Sequence, residues 1–184
     1  MDDVDVLESI LTKDVLLVEA VAPTQLARPT RCPQWDVTAL LDHMTGWLQV
    51  FAAGAEGRLH KGDADAFTTE DPAGDFRAAA AETVTGWRTG GVERMVRFTG
   101  AELPGQMVLS MALMEYVAHG CDLAAATGQV VPFDDAELAL ALARGEETLP
   151  AEYRGPGKPF GDRIEVSASA PVLDRFLGFL GRQP

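Results

Sequence analysis

Cysteine is almost missing from this chain of 184 residues, with Cys32 and Cys121 the only two. Two thiols cannot build a disulfide framework, and without a C-x-x-C pair there is no thiolate metal knuckle and no dithiol redox loop. Asparagine is absent and lysine scarce, while Ala, Gly, Arg, Asp and Val are used heavily, a bias expected of a GC-rich genome. Positive charge is also short, because 15 Lys+Arg stand against 28 Asp+Glu and leave a formal net charge of −13. An acidic surface repels phosphate and gains nothing from counterion release, which excludes nucleic acid as a partner and disfavours anionic membranes. No apolar run reaches the about 18 residues of a membrane span. The N-terminal MDDVDVLESI is acidic where a secretory signal would be basic. A reduced, cytoplasmic location is the expectation. What is present is ordinary for a globular protein: 47% hydrophobic and 23% charged residues, on a length that suits one domain with a substantial core.

Helical periodicity dominates. Val4, Leu7, Leu11, Val18 and Val21 recur at helical spacing and predict a first helix over Asp3–Val21, stopped before Pro23. A loop with Pro23, Pro29 and Pro33 follows. Asp36 then caps a second helix to about Ala53, with Trp35 and Leu40 placed as a hydrophobic staple. Residues 54–71 are rich in Gly and Asp and read as a surface loop. Asp71-Pro72 starts a third helix that carries Phe76, Ala80, Val84 and Trp87 on one face and ends at Gly90-Gly91. A short extended piece is possible at Met95–Phe98. After Pro104-Gly105 the run QMVLSMALMEYVAHGCDLAAATG predicts a buried helix ending at Gly128. The next helix, DDAELALALARGEE, opens on a capping box formed by Asp134 and Glu137. From Leu149 the texture turns to Pro, Gly and charge, with a possible strand at Ile164–Ser167 and a short terminal helix over Val172–Leu180. Strands do not alternate with helices, so an all-α bundle is expected: residues 1–148 as the bundle and 149–184 as an extension packed on it.

Chemistry concentrates on the fourth helix. Glu115 and His119 are four positions apart, so they share a helix face and suit two ligands of one metal ion. Asp122 follows on the same face, and Met107 and Met111 continue the stripe toward the N-terminus, which would place most of it in the core. A carboxylate and an imidazole on such a face are costly unless paired or metal-bound. A helix pair of this kind is commonly just hydrogen-bonded, and a single inward histidine is commonly just a satisfied core residue. His43, between Leu40 and Trp47 on the inward face of the second helix, supplies a third donor. Two imidazoles and a carboxylate from two helices make the three-ligand set of an open metal site. The ligands are not arranged as H-E-x-x-H, so a metalloprotease has no support. His60 in GRLHKGDAD reads as solvated. Asp63-Ala64-Asp65 starts like a calcium loop, but Phe67 replaces an oxygen ligand and Thr68 the required Gly. GPGKPFG at Gly155–Gly161 lacks Walker spacing and reads as a turn. Cys32 and Cys121 read as small packing residues, although Cys121 adjoins the ligand set.

Three stretches together resemble one family. RPTRCPQWDVTALLDHMTGW (Arg28–Trp47), ELPGQMVLSMALMEYVAHGCDLAAATGQ (Glu102–Gln129) and PFGDRIEVSASAPVLDRFLGFLGRQP (Pro159–Pro184) are similar to actinobacterial proteins related to the metal-binding domain of mycothiol-dependent maleylpyruvate isomerase, within the DinB/YfiT-like superfamily. The resemblance implies a DinB-like four-helix bundle with a long crossover, a short C-terminal extension, and one divalent metal held by His43, Glu115 and His119. It is closer to the small metal-binding relatives than to the isomerase, whose large C-terminal domain has only the short tail as a counterpart here. Cys121 stands where many relatives have Trp before the Asp.

Function follows as an expectation from these readings. The chain is expected to bind a divalent metal, Zn²⁺ first, with Ni²⁺ or Fe²⁺ also suited to an N,N,O set. With mycothiol as thiol cosubstrate, the expected activity is transfer or isomerisation on a small electrophile. Asp122 would orient an imidazole from behind. A non-catalytic metal- or ligand-binding protein, or a metal-activated hydrolase, uses the same residues differently. The expected partner is a small-molecule substrate, and exposed helix faces would permit a homodimer.

Overall fold

The computed structural model describes residues 2–32, 35–156, 158 and 160–184. Residues 33, 34 and 159 of the family-like stretches, and 157 of the Gly155–Gly161 segment, lie outside the described residues. Among the described residues the chain is mostly helical, with α1 (Asp3–Glu19), α2 (Val37–Ala55), α3 (Pro72–Gly90), α4 (Gly105–Thr127), α5 (Asp135–Thr148) and α6 (Val172–Phe179). No helix is long and apolar enough to cross a membrane, again among the described residues.

Local signals explain most of these boundaries. Asp2 accepts from the Asp5 backbone N–H at 2.8 Å, Asp36 from Ala39 at 2.9 Å and Asp71 from Gly74 at 3.0 Å, so three acidic caps satisfy orphan donors where three helices begin. The capping box at α5 is complete: Asp134 accepts from the Glu137 N–H, and Glu137 accepts from the Asp134 N–H, both at 2.9 Å. Helix α4 stops at Gly128, which takes a left-handed φ of 73°. Helix α1 ends at Glu19 rather than at Val21, since the chain turns at Ala20 and Val21 before it meets Pro23.

Two expectations about strands change. The all-α reading holds approximately, with one small hairpin added, in which β1 (Met95–Phe98) pairs antiparallel with β2 (Ala101–Pro104), Phe98 opposite Ala101. Thr99 and Gly100 make the two-residue turn at φ 49° and 86°, a mirror-image turn whose twist matches the strands it joins. Only one strand of this pair carries the alternation that betrays a strand: Val96 and Phe98 are buried, whereas β2 is largely exposed. The stretch Ile164–Ser167 forms no strand among the described residues. It runs alongside α6, where the Ile164 N–H donates to the Gly178 carbonyl at 2.9 Å. Within the expected turn at Gly155–Gly161, of which residues 157 and 159 lie outside the described residues, the Gly155 N–H donates to the Phe160 carbonyl at 2.9 Å.

The helices are arranged so that α1 and α2 each pack against both α3 and α4, while α5 packs against both α4 and α6. Leu7, Ile10, Leu40, Met44, Leu48, Phe76, Trp87, Leu109, Leu113 and Tyr116 fill the core between them. The Tyr116 hydroxyl donates to the Met44 carbonyl at 3.2 Å, which pins the middle of α4 to the middle of α2. That bond sets the register on which the site depends, because His43 precedes Met44 and Glu115 precedes Tyr116.

Candidate metal centre

His43 on α2 and Glu115 and His119 on α4 meet beside this helix contact. Nε2 of His43 lies 3.0 Å from Oε1 of Glu115, and Nε2 of His119 lies 3.2 Å from the same oxygen. The two imidazole rings stand edge to face with centroids 4.9 Å apart. One donor atom from each of the three residues falls within 4.8 Å of the others. Donors bound to one tetrahedral ion at about 2.0–2.2 Å sit about 3.3 Å apart. The donor set therefore fits a divalent ion in chemistry and in spacing. His119 is nearly closed off at 8% side-chain exposure, whereas His43 at 15% and Glu115 at 19% face an opening.

Electrostatics bind the three into one unit. Burial alone would raise the Glu115 carboxyl, but the His119 charge and hydrogen bonds from both imidazoles outweigh it and hold Glu115 well below the ordinary carboxylate range. Burial likewise works against a charged His119. The Glu115 carboxylate and the hydrogen bond to Asp122 overcome it, so that this imidazole keeps a proton to higher pH than a free one. A cation arriving at the site would take the place of that proton.

Behind His119 stands a second charged layer. Its Nδ1 lies 3.2 Å from Oδ2 of Asp122, which is completely buried. The guanidinium of Arg182, from the tail beyond α6, donates from Nε to Oδ1 and from Nη2 to Oδ2 of Asp122, both at 2.6 Å. Burial would raise Asp122 too, but the His119 bond and Arg182 bring it far below its ordinary value. The Cys32 thiol donates to Oδ2 of Asp122 at 3.6 Å. Cys32, His119 and Asp122 thus form a second group with metal-ligand spacing. Arg182 already supplies the cation at that group, with Nη2 also 3.8 Å from the Cys32 sulfur, so the group serves as support for His119 and not as a second metal site.

The mouth is built from aromatic and acidic side chains. Trp35, expected as a staple with Leu40, lies over the His43 ring at 4.3 Å between centroids. Trp47 borders His43 on the other side at 6.2 Å. Its indole N–H donates to Oδ1 of Asp65 at 2.8 Å, and the same oxygen lies 4.0 Å from Nδ1 of His43. Asp65 belongs to a 3-10 turn, Ala64–Ala66, that seats on α2 at Gly46, where an added methyl would fall 2.6 Å from the Ala64 carbonyl oxygen. Glycine permits that approach, so the turn presents its carboxylate beside His43.

Other residues fall outside the centre. Burial pushes the Cys121 thiol up to about 12, which leaves it protonated and inert at neutral pH, in keeping with a packing role. The Met107–Met111 part of the α4 stripe leaves the core: Met107 is exposed and Met111 only partly buried, while Val108, Leu109, Ala112 and Leu113 of the same turns are buried, so the core lies against a different face of this end of α4. His60 lines a polar groove with Arg58, Asp75 and Glu82, apart from His43.

Sequence reasoning missed Cys32, Trp35 as a site wall, Asp65 and Arg182. For Arg182 a signal existed: Asp122 on an apolar helix face requires a counter-charge. Nothing in the sequence says which arginine provides it. Asp14 was missed as well. It is fully buried on α1, both its oxygens lack a hydrogen-bond partner among the described residues, and burial raises its pKa well above the ordinary value. A side chain at Gly120, next to His119, would collide with it.

A family model for the mycothiol maleylpyruvate isomerase N-terminal domain matches residues 15–124, which contain His43, Glu115, His119 and Asp122. Two uncharacterized proteins from strains of Mycobacterium tuberculosis, Rv0738 and MT0763, are each 31% identical over 173 residues, covering 90% of this chain and 90% of their own length. No solved structure matches the chain. With a domain-length match and near full-length relatives, the chain belongs to the mycothiol maleylpyruvate isomerase N-terminal domain family.

Proposed function

We propose that the protein holds one divalent metal ion through Nε2 of His43, Nε2 of His119 and a carboxylate oxygen of Glu115, and works with a low-molecular-weight thiol, mycothiol by family, in transfer or isomerisation on a small electrophile. The observation that supports this reading is the convergence of the three donors from two helices on one point, with the opening on the His43 and Glu115 side. A bound divalent ion would supply Lewis acidity there and favour the thiolate form of a thiol cosubstrate. Zn²⁺ suits the set first, and Ni²⁺ or Fe²⁺ also fit two imidazoles and a carboxylate.

The chain's own groups do the rest. Asp122 holds the Nδ1 proton of His119 and so turns Nε2 toward the centre. Trp35 and Trp47 wall the opening and keep bulk water off one side of His43. Metal-activated hydrolysis ranks lower, because it needs a free and accessible general base: Asp122 is engaged by Arg182, Asp65 by Trp47, and Asp14 is fully buried on α1. On the same reading residues 1–148 form a DinB-like four-helix bundle with a long crossover, and 149–184 an extension packed on it.

Metal analysis of purified protein tests the site, with about one equivalent of a divalent ion expected and His43→Ala or His119→Ala expected to lose it. Unchanged metal content in both variants would remove the ligand assignment. Thiol use is tested by titrating Co²⁺-substituted protein with mycothiol and following the visible spectrum. An intense sulfur-to-cobalt band is expected, and a spectrum indifferent to thiol would leave a non-catalytic metal-binding protein.

A further inference from the structure

Asp122 and Arg182 are sixty residues apart in sequence, on α4 and on the tail beyond α6, yet their side chains form a buried bidentate pair, 0% and 8% exposed. Burying both charges can cost more than their attraction returns, and apolar pairs often hold such contacts as well, so a buried ion pair is weak evidence of a packing role. The pair is therefore informative about something other than packing. Its geometry shows what. A planar guanidinium that engages both oxygens of a carboxylate fixes the carboxylate plane as well as its position. Here the plane is fixed so that Oδ2 faces Nδ1 of His119 at 3.2 Å, while the opposite nitrogen of that ring faces Glu115 at 3.2 Å. Cys32 packs its sulfur against the same oxygen and the same guanidinium, at 3.6 and 3.8 Å, closing the remaining approach to Oδ2.

We propose that Arg182 is a positioning residue of the metal centre, acting through Asp122 to hold the His119 imidazole in the orientation that presents Nε2, so that the Asp122–Arg182 pair itself sets metal affinity. This rests on the assignment of His43, Glu115 and His119 as ligands. Without Arg182 the Asp122 carboxylate can rotate about its side-chain torsions, and the second-layer bond to His119 loses its direction. Loss of such a bond typically weakens metal binding about 10–100-fold. Lysine at this position would restore charge but only one donor direction.

The experiment measures Zn²⁺ affinity at one fixed pH, by competition with a chromogenic chelator, in the full chain and in Arg182→Gln, Arg182→Lys and Arg154→Ala. Visible spectra of the Co²⁺-loaded proteins accompany it. Arg154 anchors the tail by donating to the Phe179 carbonyl at 2.6 Å, away from Asp122, and so reports tail docking alone. Arg182→Gln is expected to lose about tenfold or more in affinity and to shift the Co²⁺ spectrum. Arg182→Lys should fall between it and the wild type, and Arg154→Ala should melt earlier with affinity unchanged. A folded Arg182→Gln protein with wild-type affinity and spectrum would overturn the proposal. If Arg182→Gln does not fold, wild-type affinity in Arg182→Lys overturns it instead. An equal loss of affinity in Arg154→Ala also overturns it, since tail docking would then be the cause. Should the wild type bind no Zn²⁺ at all, the ligand assignment fails first; wild-type binding unaffected by Arg182 fails the positioning role alone.

Discussion

The two imidazoles of the site are held in opposite ways. His119 is buried and backed by Asp122, which is itself clamped by Arg182, so three charges in a row lie out of water. His43 stands at the opening, packed against the tilted ring of Trp35, and the carboxylate nearest its Nδ1 is Asp65, 72% exposed and already occupied by the Trp47 indole. Charge arranged in low dielectric is strongly coupled, whereas charge near water is screened and replaceable. One side of the site is thus a buried anchor and the other a partly exposed wall.

If burial is what separates the two sides, Asp122→Asn should have the largest effect among residues that are not themselves ligands. It leaves Arg182 buried without its counter-charge, a loss of about 3–5 kcal/mol in stability, and weakens metal binding about 10–100-fold. Chemical denaturation and chelator competition check both. A wild-type melting curve in this variant would mean that the two sides do not differ in this way.

Proton competition is the next test. In the metal-free protein His119 keeps its proton to higher pH than a free imidazole, because Glu115 and Asp122 stabilise the charged form against burial. Metal must displace that proton, so apparent Zn²⁺ affinity should rise with pH and continue to rise above the usual histidine range. Affinity measured from pH 6 to pH 9 checks the sign, and a profile flat above about pH 7 would contradict it.

Asp14, close behind the anchored side, makes a smaller prediction. Burial raises its folded-state pKa, so between its ordinary value and the raised one the native protein holds a proton that the unfolded chain has released. Its contribution to stability is present in full below the ordinary carboxylate pKa and is lost as pH rises toward the folded value. Asp14→Asn should therefore melt a few degrees higher than wild type near neutral pH, with the gain shrinking at acid pH. Smallest of all should be Asp65→Asn, with metal affinity changed by about threefold or less, since its carboxylate is screened by water. An effect of Asp65→Asn as large as that of Asp122→Asn would erase the distinction between anchor and wall.

Much of the helical framework is legible along the chain. Asp36, Asp71 and Asp134 announce helix starts and Gly128 a stop, because capping acts within one turn and its residues are neighbours in sequence. The hairpin shows why other parts are not. Met95–Phe98 is readable as extended, but its partner Ala101–Pro104 carries no apolar alternation and becomes a strand only through pairing. The Met107 and Met111 stripe misleads for a related reason: periodicity reveals a common face, not whether a neighbour covers it.

The site divides along the same line. Glu115, His119 and Asp122 lie within two turns of one helix, so their common face follows from 3.6-residue periodicity alone, and His43 is singled out by its place on an amphipathic helix. That His43 meets Glu115 at 3.0 Å was decided by the packing of α2 on α4 and its Tyr116–Met44 bond. Arg182 and Asp65 entered the site only through long-range folding, the one from the last residues of the chain and the other from a turn seated on Gly46. A charged residue reads the same in sequence whether it ends in water or in a buried pair. Helix position and ligand type are local properties that the amino-acid order sets by itself, while the partner of each charge is settled by which distant surfaces bury apolar area together.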